Sequence, residues 1–204
     1  MARIDIPRKS IYRLSIYQRC LGKLRENEVD TVSSEALARA AGVKSTQLRK
    51  DLAYFGQFGT RGLGYNVDVL SRTIADVLGH NRLQPVILVG VGNLGSALLR
   101  YGGFRKEGFE VVAAFDLSPK RTVDMSIPIL GMEEMSGFIR KHQVKMAILT
   151  VPVSSAQAVT NQMVEAGIQA VLNFSPTVLD VPENVVVNSV DLAVELENLS
   201  YFIR

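Results

Sequence analysis

At 204 residues, 47% hydrophobic and with a net charge of +3, the chain is too apolar for a disordered protein and long enough for one large domain or two small ones. No apolar run approaches the roughly 18 residues of a spanning helix, the opening MARIDIPRKS has no secretory apolar core, and a single Cys20 excludes an intrachain disulfide, so a cytoplasmic protein is expected. Residues 1–82 hold 14 Lys and Arg against 8 Asp and Glu, whereas 83–204 hold 9 against 12, so the first part is the one expected to meet a polyanion.

In chain order, Ile11, Leu14, Tyr17, Leu21 and Leu24 recur at three- and four-residue steps and predict a helix over 8–26. Ser33-Ser34-Glu35 offers an N-cap and a first-turn acid for a short second helix ending at Gly42. A third helix runs from Ser45 to Gly56. The glycines of QFGTRGLGYN then suit a tight β-hairpin, and a helix at about 67–78 follows. From Pro85 the pattern changes. PVILVG, EVVAAFD, IPIL, VKMAILTVP and IQAVLNF read as strands buried on both faces and alternate with helices, including one near 132–142 and SSAQAVTNQMVEAG with a Ser cap and a Gly end. That alternation predicts an α/β, doubly wound parallel sheet of Rossmann type. In the last stretch, Leu192, Leu196, Leu199 and Ile203 share one helix face, with Val190, Val194 and Tyr201 roughly opposite. Two opposed stripes fit burial between two surfaces, either inside the helix's own domain or in a partner subunit.

Gly90-Val91-Gly92-Asn93-Leu94-Gly95 is a G-x-G-x-x-G between a buried strand and a helix. Gly90 allows the tight turn, Gly92 the close approach of a pyrophosphate, and Gly95 helix–strand packing, while the helix N-terminus attracts phosphate. Asp116 ends the next strand, placed to accept from ribose hydroxyls, and favours NAD over NADP. Lys120 and Arg121 read as solvated loop charges. Thr150-Val151-Pro152 and Asn173-Phe174-Ser175-Pro176 follow strand ends and are expected to line the same cleft. His80, in a polar joint, and His142, in RKHQ, read as surface residues, so no proton donor stands out beside a nicotinamide and no catalytic or metal residue is assigned.

On the third helix, Leu48, Leu52 and Phe55 face inward, whereas Thr46, Gln47, Lys50 and Tyr54 face outward with Arg49 on the flank. Two helices around a glycine turn match a helix-turn-helix, with the hairpin as a wing. Its exposed Gln pairs with adenine and its Lys or Arg with guanine. Lys44, Ser45, Phe58, Gly59 and Arg61 complete the expected DNA contacts, Arg61 in a narrow minor groove and Phe58 as wing anchor or wedge. The boundaries that follow are a winged helix over 1–80, a Rossmann domain over 84–189 and a C-terminal helix over 190–204. A dehydrogenase with an accessory module, a CoA-binding Rossmann domain and a DNA-binding module with a purely scaffolding second half are the alternatives.

The stretches IPRKSIYRLSIYQR, RKDLAYFGQFGTRGLGY, LVGVGNLGSALLRYGGF, LTVP, NFSP and VDLAVELENLS resemble the redox-sensing transcriptional repressor Rex family across nearly the whole chain. The resemblance implies a homodimer with a swapped C-terminal helix, binding palindromic operator DNA and releasing it when NADH replaces NAD+. It further implies that Tyr101 holds the cofactor near its nicotinamide and that Arg19 pairs with Asp191 of the partner's swapped helix in one state. Where some relatives carry Phe after that aspartate, this chain has Leu192.

Overall fold

The computed structural model describes residues 6–60, 63–79, 82–119 and 127–203. The chain divides into two compact units, Met1–Arg82 and Leu83–Arg204. Arg61, His80, Lys120 and Arg121, all read from the sequence above, lie outside the described residues.

In the first unit α1 spans Arg8–Glu26 and buries Leu14, Tyr17 and Leu21, three members of the expected apolar stripe. After a two-residue strand β1 (Thr31–Val32), Ser33 caps α2 (Ser34–Ala40), its hydroxyl accepting from Ala36 N at 3.0 Å. Gly42, at φ +68°, makes the left-handed turn into α3 (Ser45–Ala53). This helix stops short of the expected Gly56, because Phe55 N bonds back to Leu52 O at 3.0 Å in a tightened last turn. Strands β2 (Gly59–Thr60) and β3 (Gly64–Asn66) form the hairpin, and β1 pairs with β3 to complete a small antiparallel sheet. Asn66 then caps α4 (Val67–Leu78). The core is one cluster joining Leu14, Tyr17 and Leu21 to Leu37, Leu48, Leu52, Leu70 and Ile74.

The second unit is a six-stranded parallel sheet. Its strands are β4 (Gln84–Val89), β5 (Phe109–Asp116), β6 (Ile129–Gly131), β7 (Met146–Leu149), β8 (Ala170–Asn173) and β9 (Val186–Ser189). They lie in the order β6-β5-β4-β7-β8-β9, which reverses direction between β4 and β7. That is the Rossmann order, and the reversal is where such sheets bind ligands. Helices α5 (Asn93–Leu99) and α6 (Gly103–Lys106) follow β4; α7 (Met135–His142) follows β6 after a 3-10 turn; α8 (Val153–Ala166) follows β7. The pleat divides the core: Ile87, Val89, Ala113, Phe115 and Leu149 meet Met135, Ile139 and Met163 on one face, while Val86, Leu88, Ala114 and Ile148 meet Leu99 on the other.

Two details differ from the sequence reading. The N-cap of α8 is Pro152, and Ser155 sits inside the helix with its hydroxyl donating to Pro152 O at 3.0 Å. Strand β9 extends the sheet by one strand beyond those expected; its apolar run, Val185-Val186-Val187, is short and gives way at once to Asn188 and Ser189. Finally α9 (Leu192–Tyr201) begins at Asp191, whose Oδ1 accepts from Ala193 N at 2.9 Å and Val194 N at 3.3 Å. None of its residues is buried, so the helix is not packed inside its own domain.

Candidate cofactor and nucleic-acid sites

The glycine turn after β4 sits at the β4/β7 reversal, and each glycine meets a different constraint. Gly90 has φ +97°, and a Cβ there would stand 2.7 Å from Thr150 O. A Cβ on Gly95 would run into the Gly90 carbonyl oxygen and lie 2.9 Å from Thr150 Oγ1. Gly92 is different, because a Cβ there would meet nothing within 4 Å. The fold requires glycine at Gly90 and Gly95, whereas at Gly92 only an incoming group would need that space. Gly92→Ala is therefore expected to keep the wild-type melting temperature while weakening NADH at least about tenfold, since backbone approach to a pyrophosphate is what that glycine allows. Paired melting curves and NADH fluorescence titrations check this; unchanged affinity would remove Gly92 from the site.

No side chain caps α5, leaving its first turn, Asn93 and Leu94, exposed beside the glycines. Asp116 ends β5 and is tied to the turn: Oδ2 accepts from Val91 N at 2.7 Å and Oδ1 from Ser118 N at 2.9 Å. A carboxylate has about four acceptor positions, so two remain for ribose hydroxyls.

The flanking loops act mainly as braces. Thr150 Oγ1 donates to Gly90 O at 2.6 Å and clamps the turn to β7. Ser175 Oγ donates to Val151 O at 2.6 Å, joining the two loops. Asn173 is buried, accepting from Ser175 N at 2.9 Å and donating to Thr177 O at 3.0 Å and Ser189 Oγ at 3.2 Å. The polar atoms of Thr150, Asn173 and Ser175 thus go to the protein, and Val151, Pro152, Phe174 and Pro176 supply the surface left over. Tyr101 stands past the far end of α5, just beyond its C-cap Arg100. It is 60% exposed, edge-on to Phe104 at 5.1 Å.

In the first unit α2, the Gly42 turn and α3 form a helix-turn-helix. Leu48 and Leu52 are buried and Phe55 half-buried, while Lys44, Thr46, Arg49 and Lys50 are exposed and Ser45, Gln47 and Tyr54 intermediate. Arg49 leans back on α2, donating to Ser34 Oγ at 3.0 Å and pairing with Glu35 at 3.4 Å. Such an exposed pair yields readily to a phosphate. In the wing, Phe58 packs against the unit's core, which makes it an anchor, and Gly59 pairs with Tyr65 across the hairpin.

One constellation escaped the sequence reading. Asp51, with a fully buried side chain on α3, accepts from Arg13 Nε at 2.5 Å, Arg13 Nη2 at 2.7 Å, Tyr17 Oη at 2.8 Å and Gln47 Nε2 at 3.0 Å. Burial pushes the Asp51 carboxyl up, but the hydrogen bonds from Arg13, Tyr17, Ser10 and Gln47 outweigh it, so its pKa lies below the usual carboxylate range. The signal available was an acid on the inward arc of α3, between Leu48 and Leu52, facing an Arg and a Tyr on the inner side of α1.

Known proteins align with both units. A model described as CoA binding domain matches residues 81–177, and one described as putative DNA-binding protein N-terminus matches 5–53. The redox-sensing transcriptional repressor Rex of Syntrophobacter fumaroxidans is 45% identical over 199 residues, 96% of this chain and 95% of that protein. The Rex of Pelotomaculum thermopropionicum is 46% identical over 98% of this chain and 95% of its own. Among solved structures, RSP in complex with beta-NAD+ and operator DNA superposes with a TM-score of 0.90 at 34% identity, covering 98% of this chain and 94% of that one. RSP in complex with beta-NADH gives 0.86 at 33% identity, covering 98% and 95%. With close to half its residues shared along nearly its full length, this chain belongs to the family of redox-sensing transcriptional repressors named Rex.

Proposed function

We propose that this chain is a homodimeric transcriptional repressor that binds palindromic operator DNA through a winged helix over 1–80, senses the NADH/NAD+ ratio through a Rossmann domain over 84–189, and dimerises through a swapped helix over 190–204. The observation that carries the reading is the open space at Gly92, at the sheet's reversal point, in the same chain as a basic helix-turn-helix unit. Its relatives are named as redox-sensing repressors, and the similar RSP structures hold NAD+ with operator DNA or NADH.

Reduced nicotinamide is neutral and oxidised nicotinamide is a cation, so an apolar pocket favours NADH by the desolvation cost of the charge. If NADH fits a closed dimer better, it shifts the population toward closure. Closure alters the spacing of the two α3 helices, and half-sites one turn apart then no longer match. Arg19, exposed on α1, and Asp191, the cap of α9, form the switch pair in this scheme.

The cofactor acts here as a signal and undergoes no turnover. His142 sits at the exposed end of α7, 4.2 Å from the Phe138 ring, far along the chain from the glycine turn. No described helix is long and apolar enough to cross a membrane.

Dimerisation is assigned to α9 because Leu192, Leu196 and Leu199 are each more than 60% exposed on one face. Charging that face in the double variant Leu196→Asp, Leu199→Asp is expected to give a folded monomer. Losing the second half-site weakens operator binding about 100-fold or more. Analytical ultracentrifugation and anisotropy check both parts, and a dimer that persists would refute the assignment.

The function itself is tested by fluorescence anisotropy of a labelled palindromic duplex titrated with NADH, NAD+ or CoA at one stated salt, because phosphate contacts make affinity steeply salt-dependent. Release by NADH at concentrations where NAD+ leaves the complex intact establishes the sensor. Tight DNA binding indifferent to all three nucleotides would leave the second unit a scaffold, and release by CoA alone would assign a different ligand.

A further inference from the structure

The bond from Gln47 to Asp51 constrains what α3 can read. Gln47 Nε2 donates to Asp51 Oδ1 at 3.0 Å, one helical turn on. An ionised carboxylate only accepts, so the amide nitrogen must be the atom that points inward. Oxygen and nitrogen leave the amide carbon in different directions, so with one N–H held by Asp51 the groups left for a ligand are Oε1 and the second N–H. Asp51 cannot swing away to release it: its side chain is fully buried, Arg13 holds both oxygens, and Tyr17 donates to Oδ2 at 2.8 Å. Gln47 is itself half-buried, between exposed Thr46 and the exposed pair Arg49 and Lys50 on the outward side of α3.

An unrestrained glutamine rotates freely about its terminal torsion and offers either amide edge. It can donate to acceptors on guanine or thymine as readily as it accepts from an amino group. In the major groove guanine presents O6 and N7 and thymine O4, all acceptors, whereas adenine N6 and cytosine N4 are donors.

We propose that Asp51 is a positioning residue that locks the Gln47 amide with its oxygen toward the duplex, so that Gln47 selects a base with an exocyclic amino group, adenine or cytosine, at one position of each half-site. Guanine and thymine meet that oxygen acceptor to acceptor and have only the second N–H to bond, so they are disfavoured. The inference rests on α3 being the helix that enters the groove.

The test uses the full-length chain to select duplexes from a random pool, then measures anisotropy on the best duplex and its single-base variants at one salt concentration. The wild type is expected to show one position per half-site where adenine or cytosine is favoured about tenfold over guanine and thymine. Gln47→Ala is expected to erase that preference and leave the other positions unchanged. Asp51→Asn keeps the shape but can both donate and accept, so it frees the amide; the preference should fall below about threefold at that position alone. Should Asp51→Asn fail to fold, Gln47→Glu tests the same orientation: its carboxylate can only accept, so the preference for adenine or cytosine should persist, and a switch to guanine or thymine would overturn the proposal. Retention of the preference in folded Gln47→Ala or Asp51→Asn, or an equal loss of affinity for every duplex, would overturn the proposal. Failure of the wild type to select any duplex would instead overturn the DNA-binding reading and this inference with it.

Discussion

Asp51→Ala is expected to destabilise the N-terminal unit by about 3 kcal/mol, the lower end of the cost of breaking a buried ion pair from one side. The substitution removes at once the acceptor of the bonds from Arg13, Tyr17 and Gln47. Tyr17 loses its partner in a fully buried position, and Arg13 keeps its charge with only 21% of its side chain exposed. Arg13 retains some hydration, which is why the larger figures do not apply. The effect reaches function because these bonds join α1 to α3: a loosened α3 cannot hold several base contacts together. Urea unfolding followed by circular dichroism measures the loss, and a midpoint unchanged from wild type would show that the network contributes nothing net.

The same network makes a pH prediction with a definite sign. The folded pKa of Asp51 lies below its unfolded value, which is about 3.9. The unfolded chain therefore binds more protons as pH falls through the window below about 4. The stabilisation is complete above that window and is lost progressively beneath it. Wild type should lose stability on acidification in this range, and Asp51→Ala, lacking the group, should show a flatter profile. Parallel slopes for the two proteins would contradict the assignment.

Gly95→Ala is expected to have the largest effect on the second unit. The added carbon collides with the Gly90 carbonyl oxygen and approaches Thr150 Oγ1 to 2.9 Å. The carbonyl is backbone and is already held by the Thr150 hydroxyl at 2.6 Å, so no flexible side chain can yield. Overpacking of this kind costs about 1–3 kcal/mol, against which alanine's better helix propensity returns about 1. The turn itself must shift, and with it the surface presented to a pyrophosphate, so NADH affinity should fall at least about 100-fold, or about 2.7 kcal/mol. Calorimetric melting and NADH titration separate the two effects. Wild-type affinity in this variant would mean that the turn does not carry the cofactor, and the contrast with Gly92→Ala distinguishes room needed by the fold from room needed by the ligand.

Much of the architecture was legible in the chain, because helix stripes and buried parallel strands are local patterns. The stripe through Leu14, Tyr17 and Leu21, the runs PVILVG and EVVAAFD, and the distinct roles of Gly90 and Gly95 need only neighbouring residues to be recognised. Strand β9 was not legible, since the run Val185-Val186-Val187 ends at polar Asn188 and Ser189 and is too short to stand apart from a loop. Nor was the early end of α3, where tertiary packing of Phe55 competes with helix continuation.

The two-part plan, the basic first unit, the glycine turn and the acid that follows it are written in residue type and short-range spacing. Which polar side chains face outward and which brace the fold depends instead on how the chain packs. Asp51, Arg13 and Gln47 are separated by up to 38 residues, yet share one buried carboxylate. Thr150 and Gly90 are 60 residues apart and joined by one hydroxyl. The reason is physical: a polar side chain removed from water must find a partner, and which partner is near is a property of the packed chain and not of the local sequence.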